Sequence, residues 1–335
     1  MEDLQNLDRG TKVEIMNKKK LLVCGATGFI GRNLAEYFSK KDEFEVYGTY
    51  FNSSPYENSR INFIKTDLRN PEDVQKAVTN KDIIIHMAAT TSGAKDIINK
   101  PYMHVTDNAV ISSLLLRVAY DNNVSHFIFP SCTVMYKPSE NAIREDDFNP
   151  SDEILKSYFG VAWTKVYIEK MCEFYSRLGK TKHTVLRHSN VYGPYDKYDL
   201  EKSHVFGATI TKVMTAEEGS SIVVWGDGEE ERDLIHVNDL CAFIDLSLNQ
   251  KTSFELVNVG AGESISVKGL VEKVIKHSGK NLSITFDKTK PSIKTKICLD
   301  VSKVKDIFAW EKKISLDDGI IDTIEWYKLN KINKF

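Results

Sequence analysis

Apolar residues recur along positions 20–193 in two alternating rhythms. The runs KLLVCGA, FEVYGTY, INFIKTDL, DIIIHMAA, HFIFPSC and HTVLRHSNVYG are short and rich in β-branched and aromatic residues. That is the signature of strands buried on both faces. Between them the spacing becomes helical. GFIGRNLAEYFSK sets Ile30, Leu34 and Phe38 on one face, PEDVQKAVT opens on Pro71, and VTDNAVISSLLLRVAYDNN and residues 156–179 form two longer periodic stretches. Proline at a first helical position is a start signal. The succession predicts an α/β fold of the Rossmann type, a doubly wound parallel sheet with helices on both faces. After Tyr195 the rhythm changes. SHVFGATITKVMTA, VNDLCAFIDLSL, VKGLVEKVIKHSG and SLDDGIIDTIEWYKLN read as helices, and SIVVWGDGEEERDLIHV as short strands about a glycine turn. This predicts a smaller α+β lobe at the C-terminal end.

Chemistry enters at the first strand–helix junction, Gly25-Ala26-Thr27-Gly28-Phe29-Ile30-Gly31. A glycine triplet between a first strand and its helix lets backbone amides approach a pyrophosphate, with the helix N-terminus adding partial positive charge. Gly25, Thr27, Gly28, Phe29, Ile30 and Gly31 are therefore candidate dinucleotide contacts. Asp67-Leu68 after the third strand suits an adenine amine or an ordinary helix cap, and Ala88 and Ala89 after the fourth are small enough for a cofactor to pass. Asn108 either anchors a distorted helix or faces solvent. The second strand is followed by no acid, the residue that selects NAD through its ribose hydroxyls. Asn52 and Ser53 stand there, and Arg32 lies beside the glycine loop, so the expected cofactor is NADP, with NAD as the alternative.

The bulk properties exclude several classes. The chain has 335 residues, 41% hydrophobic and 27% charged, with a formal net charge of -2. That balance gives no reason to expect a nucleic acid or an acidic membrane as partner. The five cysteines are widely spaced and form no CxxC pair, so reduced thiols and no metal site are expected. The first residues show no signal-peptide pattern, and no apolar run reaches membrane-spanning length, so a cytoplasmic location is expected. Residues 1–18 read as a flexible extension.

NVYGPYDKYDLEKSHVFGATITKVM and VVWGDGEEERDLIHVNDL, with KVYIEKMCEFYSRLG before them, carry a family likeness over residues 19–325. The chain resembles the extended short-chain dehydrogenase/reductases of the epimerase/dehydratase type, and most nearly the GDP-L-fucose synthases. The resemblance implies a dinucleotide-binding domain over 19–194, joined by part of 235–262, and a nucleotide-sugar-binding lobe over 195–330. It implies that Lys165 holds the nicotinamide ribose and lowers the pKa of a nearby acid. His204 matches the family's epimerisation acid/base, Asn190 a substrate-pocket residue, and Lys212, Trp225, Arg232 and Lys290 positions that grip a nucleotide sugar. On their own terms, Lys212 and Arg232 suit a diphosphate, and a histidine titrating near neutrality suits proton exchange beside a ketone. Plainer readings stand beside these: a structural His204, a core Trp225, and an Arg232 paired with Glu229 or Glu230. The resemblance also implies a homodimer formed through the two long helices.

Two departures matter. The residue that should hold the substrate's 4-oxygen is open among Ser131, Cys132 and Thr133, with Cys132 also matching an epimerisation cysteine or an inert buried thiol. Four residues before Lys165, where the family carries its proton-donating tyrosine, stands Val161. The nearest upstream tyrosine, Tyr158, shares the helix face but lies about 10.5 Å of rise from Lys165 instead of about 6 Å. An irregular turn at Gly160 would bring it closer. The expectation is a nucleotide-sugar epimerase/reductase of GDP-4-keto-6-deoxyhexose type. A 4-epimerase or 4,6-dehydratase is the alternative, the latter disfavoured by Thr133 and Val134 where it needs an acid pair. A non-catalytic dinucleotide-binding protein is the alternative of another class.

Overall fold

The computed structural model describes residues 18–90, 101–200, 203–290 and 296–332. The extension expected over 1–18 lies outside the described residues, apart from Lys18. Six strands follow the apolar runs: β1 (Lys19–Cys24), β2 (Phe44–Tyr50), β3 (Ile61–Lys65), β4 (Ile83–His86), β5 (His126–Pro130) and β6 (Lys182–His188). The remainder are β7 (Asn190–Tyr192), β8 (Ser221–Trp225), β9 (Glu231–His236), β10 (Phe254–Val259), β11 (Ser264–Ser266), β12 (Ser283–Asp287) and β13 (Lys296–Ile297). One seven-stranded sheet runs in the order β10-β6-β5-β4-β1-β2-β3, and every pairing in it is parallel. The order reverses between β1 and β4, where ligands of doubly wound sheets bind beyond the carboxyl ends of the strands.

Both sheet faces are covered. Leu21, Val23, Leu34, Phe38, Leu240 and Phe243 pack on one side, and Leu22, Ile84, Leu115, Phe127, Ile168 and Val185 on the other. Alternation of Leu21, Leu22 and Val23 between these clusters is the period-two rule of a strand buried twice. The two long helices, Pro101–Asp121 and Phe159–Arg177, lie side by side, and a Cβ at Gly160 would meet Val105 Cγ2 at 2.7 Å. Beyond the sheet, β9 pairs with β7, β11 and β13, while β8 pairs with β12. The β8 and β9 segments flank the glycine turn without pairing to each other. Helices Val205–Thr215, Val267–Ser278 and Leu316–Tyr327 close around a third core of Tyr192, Phe206, Ile210, Leu270 and Ile324.

One buried polar network ties the sheet ends to the helix of Lys165. Arg187 on β6 forms a bidentate pair with Glu169, at 3.1 and 2.7 Å. Ser131 donates to Glu169 at 2.6 Å, Arg187 donates to Tyr136 at 2.9 Å, and Tyr136 donates to Asn258 of β10 at 2.8 Å. Removing one partner of a buried ion pair leaves an uncompensated charge, at a cost of about 3–5 kcal/mol. Glu169→Ala should therefore lower unfolding stability by about that amount, whereas the paired apolar replacement of Glu169 and Arg187 should recover most of it. Urea denaturation of both variants checks this; equal losses would contradict it.

Candidate active site

The cleft above the switch point encloses about 650 Å³ and is walled by the glycine loop, the ends of β2, β3 and β4, and the segment holding Asp196, Lys197 and His204. Its floor depends on two close backbone approaches. Gly25 has φ +79, and a Cβ there would sit 2.8 Å from Ala88 Cα; a Cβ at Gly31 would sit 2.1 Å from the Gly25 carbonyl oxygen. No side chain larger than hydrogen fits either place. The helix Phe29–Ser39 starts at Gly28 with no side-chain cap and no acid in its first turn. Its first N–H groups are therefore left for an anion. These features fit a dinucleotide's pyrophosphate. Gly25, Thr27, Gly28, Phe29, Ile30, Gly31, Asn52, Asp67, Leu68, Ala88 and Ala89 all line this cleft.

Four details go beyond the sequence reading or correct it. Arg32 does not line the cleft. Its guanidinium lies between the rings of Tyr56 and Tyr195, 4.0 and 3.8 Å from their centroids, and pairs with Glu36 at 2.8 Å. Arg69 does line the cleft, as does Lys197, and the Arg69 guanidinium lies 5.4 Å from the centroid of the Phe51 ring, next to Asn52 in sequence. Asp67 is not simply open to an adenine. Both its oxygens accept from Arg69 at 2.9 Å, and this pairing holds its carboxyl below the usual range. Asn108 is an anchor: it accepts from Thr90 N at 2.7 Å and donates to the carbonyls of Thr90 and His104, fixing the chain just beyond Ala88 and Ala89, after the end of β4.

Lys165, Cys132, Thr133 and His188 are not among the residues that wall this cleft; they gather at the ends of β5 and β6, with Lys165 as the hub. Its Nζ donates to the Pro130 carbonyl at 3.1 Å and lies 4.7 Å from the Phe129 ring centroid. Its charge reaches three groups. His86 is pushed down to about 3 by burial first and then by Lys165. His188 falls to about 4, again by burial first, with Lys165 and His204 adding to it against a Ser189 hydrogen bond. Burial raises the Cys132 thiol, with Lys165 pulling the other way. Cys132 is thus a neutral, half-buried thiol beside a cation, and Thr133 is half-buried next to it.

Ser131 is a correction. It is fully buried and donates to Glu169, so it faces the polar network and not the cleft. Strand alternation explains this, because neighbours at a strand end point to opposite sides. Tyr158 is a second correction. The 3-10 turn Lys156–Tyr158 precedes the helix, as an irregular start required, but the Tyr158 ring packs against the cluster of Met135, Ile154, Ala162 and Val166. The turn carries it into apolar packing, and no hydrogen bond joins it to Lys165 among the described residues.

The substrate-side candidates fall into two groups. Lys212 donates to the Val223 carbonyl at 2.9 Å, Trp225 ends β8 with 56% of its surface exposed, and Lys290 Nζ stands 5.9 Å from the Trp225 ring centroid. These three converge. Burial holds the Lys212 amine below its usual value. Asn190 on β7 donates to the Asp233 carbonyl at 3.3 Å, and Arg232 on β9 pairs with Glu230 at 3.0 Å. His204 is the residue before the helix Val205–Thr215 and lines the dinucleotide cleft. Loss of bulk water within the cleft walls lowers its pKa, and the Lys197 charge adds to this. Asp196 and Lys197 were not singled out from the sequence; they sit between the YGP and SHV segments in a stretch with no periodic signal.

Residues 21–260 match the family model described as the NAD dependent epimerase/dehydratase family. GDP-L-colitose synthase of Yersinia pseudotuberculosis is 27% identical over 320 residues, 94% of this chain and 99% of that protein. dTDP-4-dehydro-6-deoxy-D-allose reductase of a Streptomyces species is 27% identical over 325 residues, 93% and 97% of the two chains. Among solved structures, UDP-glucuronic acid 4-epimerase of Bacillus cereus, in complex with UDP-glucuronic acid and NAD, aligns with TM-score 0.79 and 26% identity over 92% of this chain and 99% of that one. Together with the glycine-loop cleft, these findings establish that the chain belongs to the NAD dependent epimerase/dehydratase family and is an enzyme.

Proposed function

We propose that the protein acts on a nucleoside-diphosphate 4-keto-6-deoxyhexose, GDP-linked, with NADP(H), epimerising carbon beside the ketone and reducing the ketone. The observation that carries this reading is one continuous wall from the glycine loop to His204; Lys165, Cys132 and His188 form a separate group at the β5 and β6 ends that does not wall the cleft but is linked to it through the charge of His204 on His188. The glycine loop and the uncapped first turn of Phe29–Ser39 would hold the pyrophosphate of the dinucleotide. When bound, the nicotinamide supplies a hydride. Lys165 holds its ribose and keeps positive charge near the oxygen that gains negative charge. His204 moves a proton at the carbon next to the ketone, and the neutral Cys132 thiol exchanges one on the other side. Lys212 and Lys290 neutralise the diphosphate, and the exposed Trp225 face stacks on base or sugar. Relatives that act on GDP- and dTDP-linked sugars support a nucleotide sugar as substrate. The apolar faces of Phe159, Tyr167 and Phe174 on one long helix and Tyr102, Met103 and Val110 on the other support a homodimer. No helix among the described residues is long and apolar enough to cross a membrane, which accords with action in the cytoplasm.

Val161 favours a second reading, epimerisation without reduction. A positioned proton donor contributes about 10²–10⁴-fold, and Val161 cannot be one. A proton NMR time course in D₂O with GDP-4-keto-6-deoxymannose and NADPH separates the readings. Deuterium at carbon 3 or 5 with NADPH oxidation is expected. Deuterium without oxidation would establish the second reading, and neither signal would overturn both for this substrate. Tyr158→Phe should leave both rates within about twofold, and Lys165→Met should slow oxidation by on the order of 10²-fold.

Cofactor choice gives a separate prediction. With no acid after β2, and Arg69 over the Phe51 ring at the end of β2, NADPH should bind more tightly than NADH. Arg69→Ala should reduce that preference about tenfold, or about 1.4 kcal/mol, while Arg32→Leu, outside the cleft, should leave the ratio unchanged. Calorimetric titration measures it; an unchanged ratio in Arg69→Ala would contradict it.

A further inference from the structure

Arg32 points away from the cleft into a place between two rings, and that place joins three parts of the chain. Tyr56 belongs to the connection between β2 and β3, Arg32 to the helix that starts at the glycine loop, and Tyr195 to the segment after β7. The guanidinium lies 4.0 Å from the Tyr56 centroid and 3.8 Å from the Tyr195 centroid. The Tyr195 ring meets Trp326 of the helix Leu316–Tyr327 at 5.1 Å, and Trp326 meets Tyr198 at 5.5 Å. Arg32 stands near the positive end of its own helix, where a cation works against the macrodipole. Its favourable contacts are therefore the two rings and Glu36.

The stack holds a strained turn. Tyr195 takes the left-handed conformation, φ +69, which a bulky residue keeps only when its surroundings hold it. Asn33, the next residue of the Arg32 helix, donates to the Pro194 carbonyl at 2.9 Å. Beyond the turn, the chain is tied to the start of the helix Val205–Thr215. The Lys197 N–H donates to Asp196 Oδ1 at 2.6 Å, the Lys197 carbonyl accepts from Ser203 Oγ, and Ser203 N donates to the Asp199 carbonyl at 2.8 Å. A Cβ at Gly207 would lie 2.6 Å from the Lys197 carbonyl oxygen, so the turn packs directly on that helix. Ser203 precedes His204. Each step from Arg32 to His204 is thus a hydrogen bond, a ring contact or a covalent neighbour.

We infer that Arg32 is a positioning residue for His204: by clamping the Tyr195 turn against the helix of the glycine loop, it fixes the segment that brings His204 to the cleft wall. The inference rests on the proposed reaction, in which His204 moves a proton beside the ketone. It gives Arg32 no contact with cofactor or substrate. The role needs a flat cation with two faces, which lysine does not offer. At position 195 it needs a ring, not the hydroxyl.

Arg32→Lys keeps the charge and removes the sandwich. In the D₂O assay it should slow deuterium entry about tenfold or more, because a small misplacement of a proton-transfer group is costly, while the Kd for NADPH stays within about twofold. Tyr195→Phe should keep deuterium entry within about twofold of wild type. Glycine takes a positive φ without strain but has no ring, so Tyr195→Gly should be slowed as Arg32→Lys is. Wild-type rates in Arg32→Lys or in Tyr195→Gly would overturn the inference. A readout free of substrate accompanies it, the NMR titration of His204. Burial first, and then the Lys197 charge, hold its pKa down, and His188 lies within reach of its charge. Loosening the turn admits water and frees Lys197, so in Arg32→Lys and Tyr195→Gly the His204 midpoint should rise toward that of an exposed histidine. The ring signals of His183, buried on β6, should stay in place. An unmoved His204, or a His183 that moves with it, would overturn the positioning role. If wild-type enzyme moves no deuterium in any nucleotide sugar, the proposed reaction fails, and the His204 titration alone decides whether Arg32 positions that segment.

Discussion

The ion pair between Arg187 and Glu169 is the constraint on which the site's geometry depends. Both groups are almost fully removed from water, so their charges stay only because each satisfies the other. The pair is stationed where four elements meet. Glu169 is one turn beyond Lys165 on the same helix, Arg187 precedes His188, Ser131 precedes Cys132, and Tyr136 reaches β10 through Asn258. A shift of any one element would leave a buried polar atom unpaired. The network therefore sets where Lys165, Cys132 and His188 stand relative to one another, although none of these three belongs to it.

Above that base the cleft is electrostatically lopsided. Beside the cleft, at the β5 and β6 ends, Lys165 stands among two histidines kept neutral by burial and a thiol kept protonated. The outer wall holds Asp196, whose carboxyl is raised by the same loss of water that lowers the histidines. Burial favours the neutral form of His86, His188, the Cys132 thiol and the Asp196 carboxyl.

Much of this was legible in the chain. FEVYGTY coincides with β2, the strand–glycine–helix junction forms the cleft floor, and the cleft-lining residues of β3 and β4 follow from their place at strand ends. What was not legible depends on contacts between residues far apart in sequence. The inward turn of Ser131 is dictated by Glu169, 38 residues away. Arg32 is drawn off the cleft by Tyr56 and Tyr195, and proximity to a glycine loop gives no sign of those rings. Tyr158 shares a helix face with Lys165 only if the helix begins early enough, and the apolar cluster beneath it decides otherwise. Asp196 looks like any loop aspartate until Tyr195 turns it inward.

The most direct test of the account is a crystal structure of the protein with NADP⁺ and a GDP-sugar bound together. The account places the pyrophosphate on the first turn of Phe29–Ser39, the nicotinamide end toward Lys165, and the sugar between Lys165 and His204 with Trp225 against the nucleotide portion. A dinucleotide bound elsewhere, or a sugar lying out of reach of His204, would contradict it.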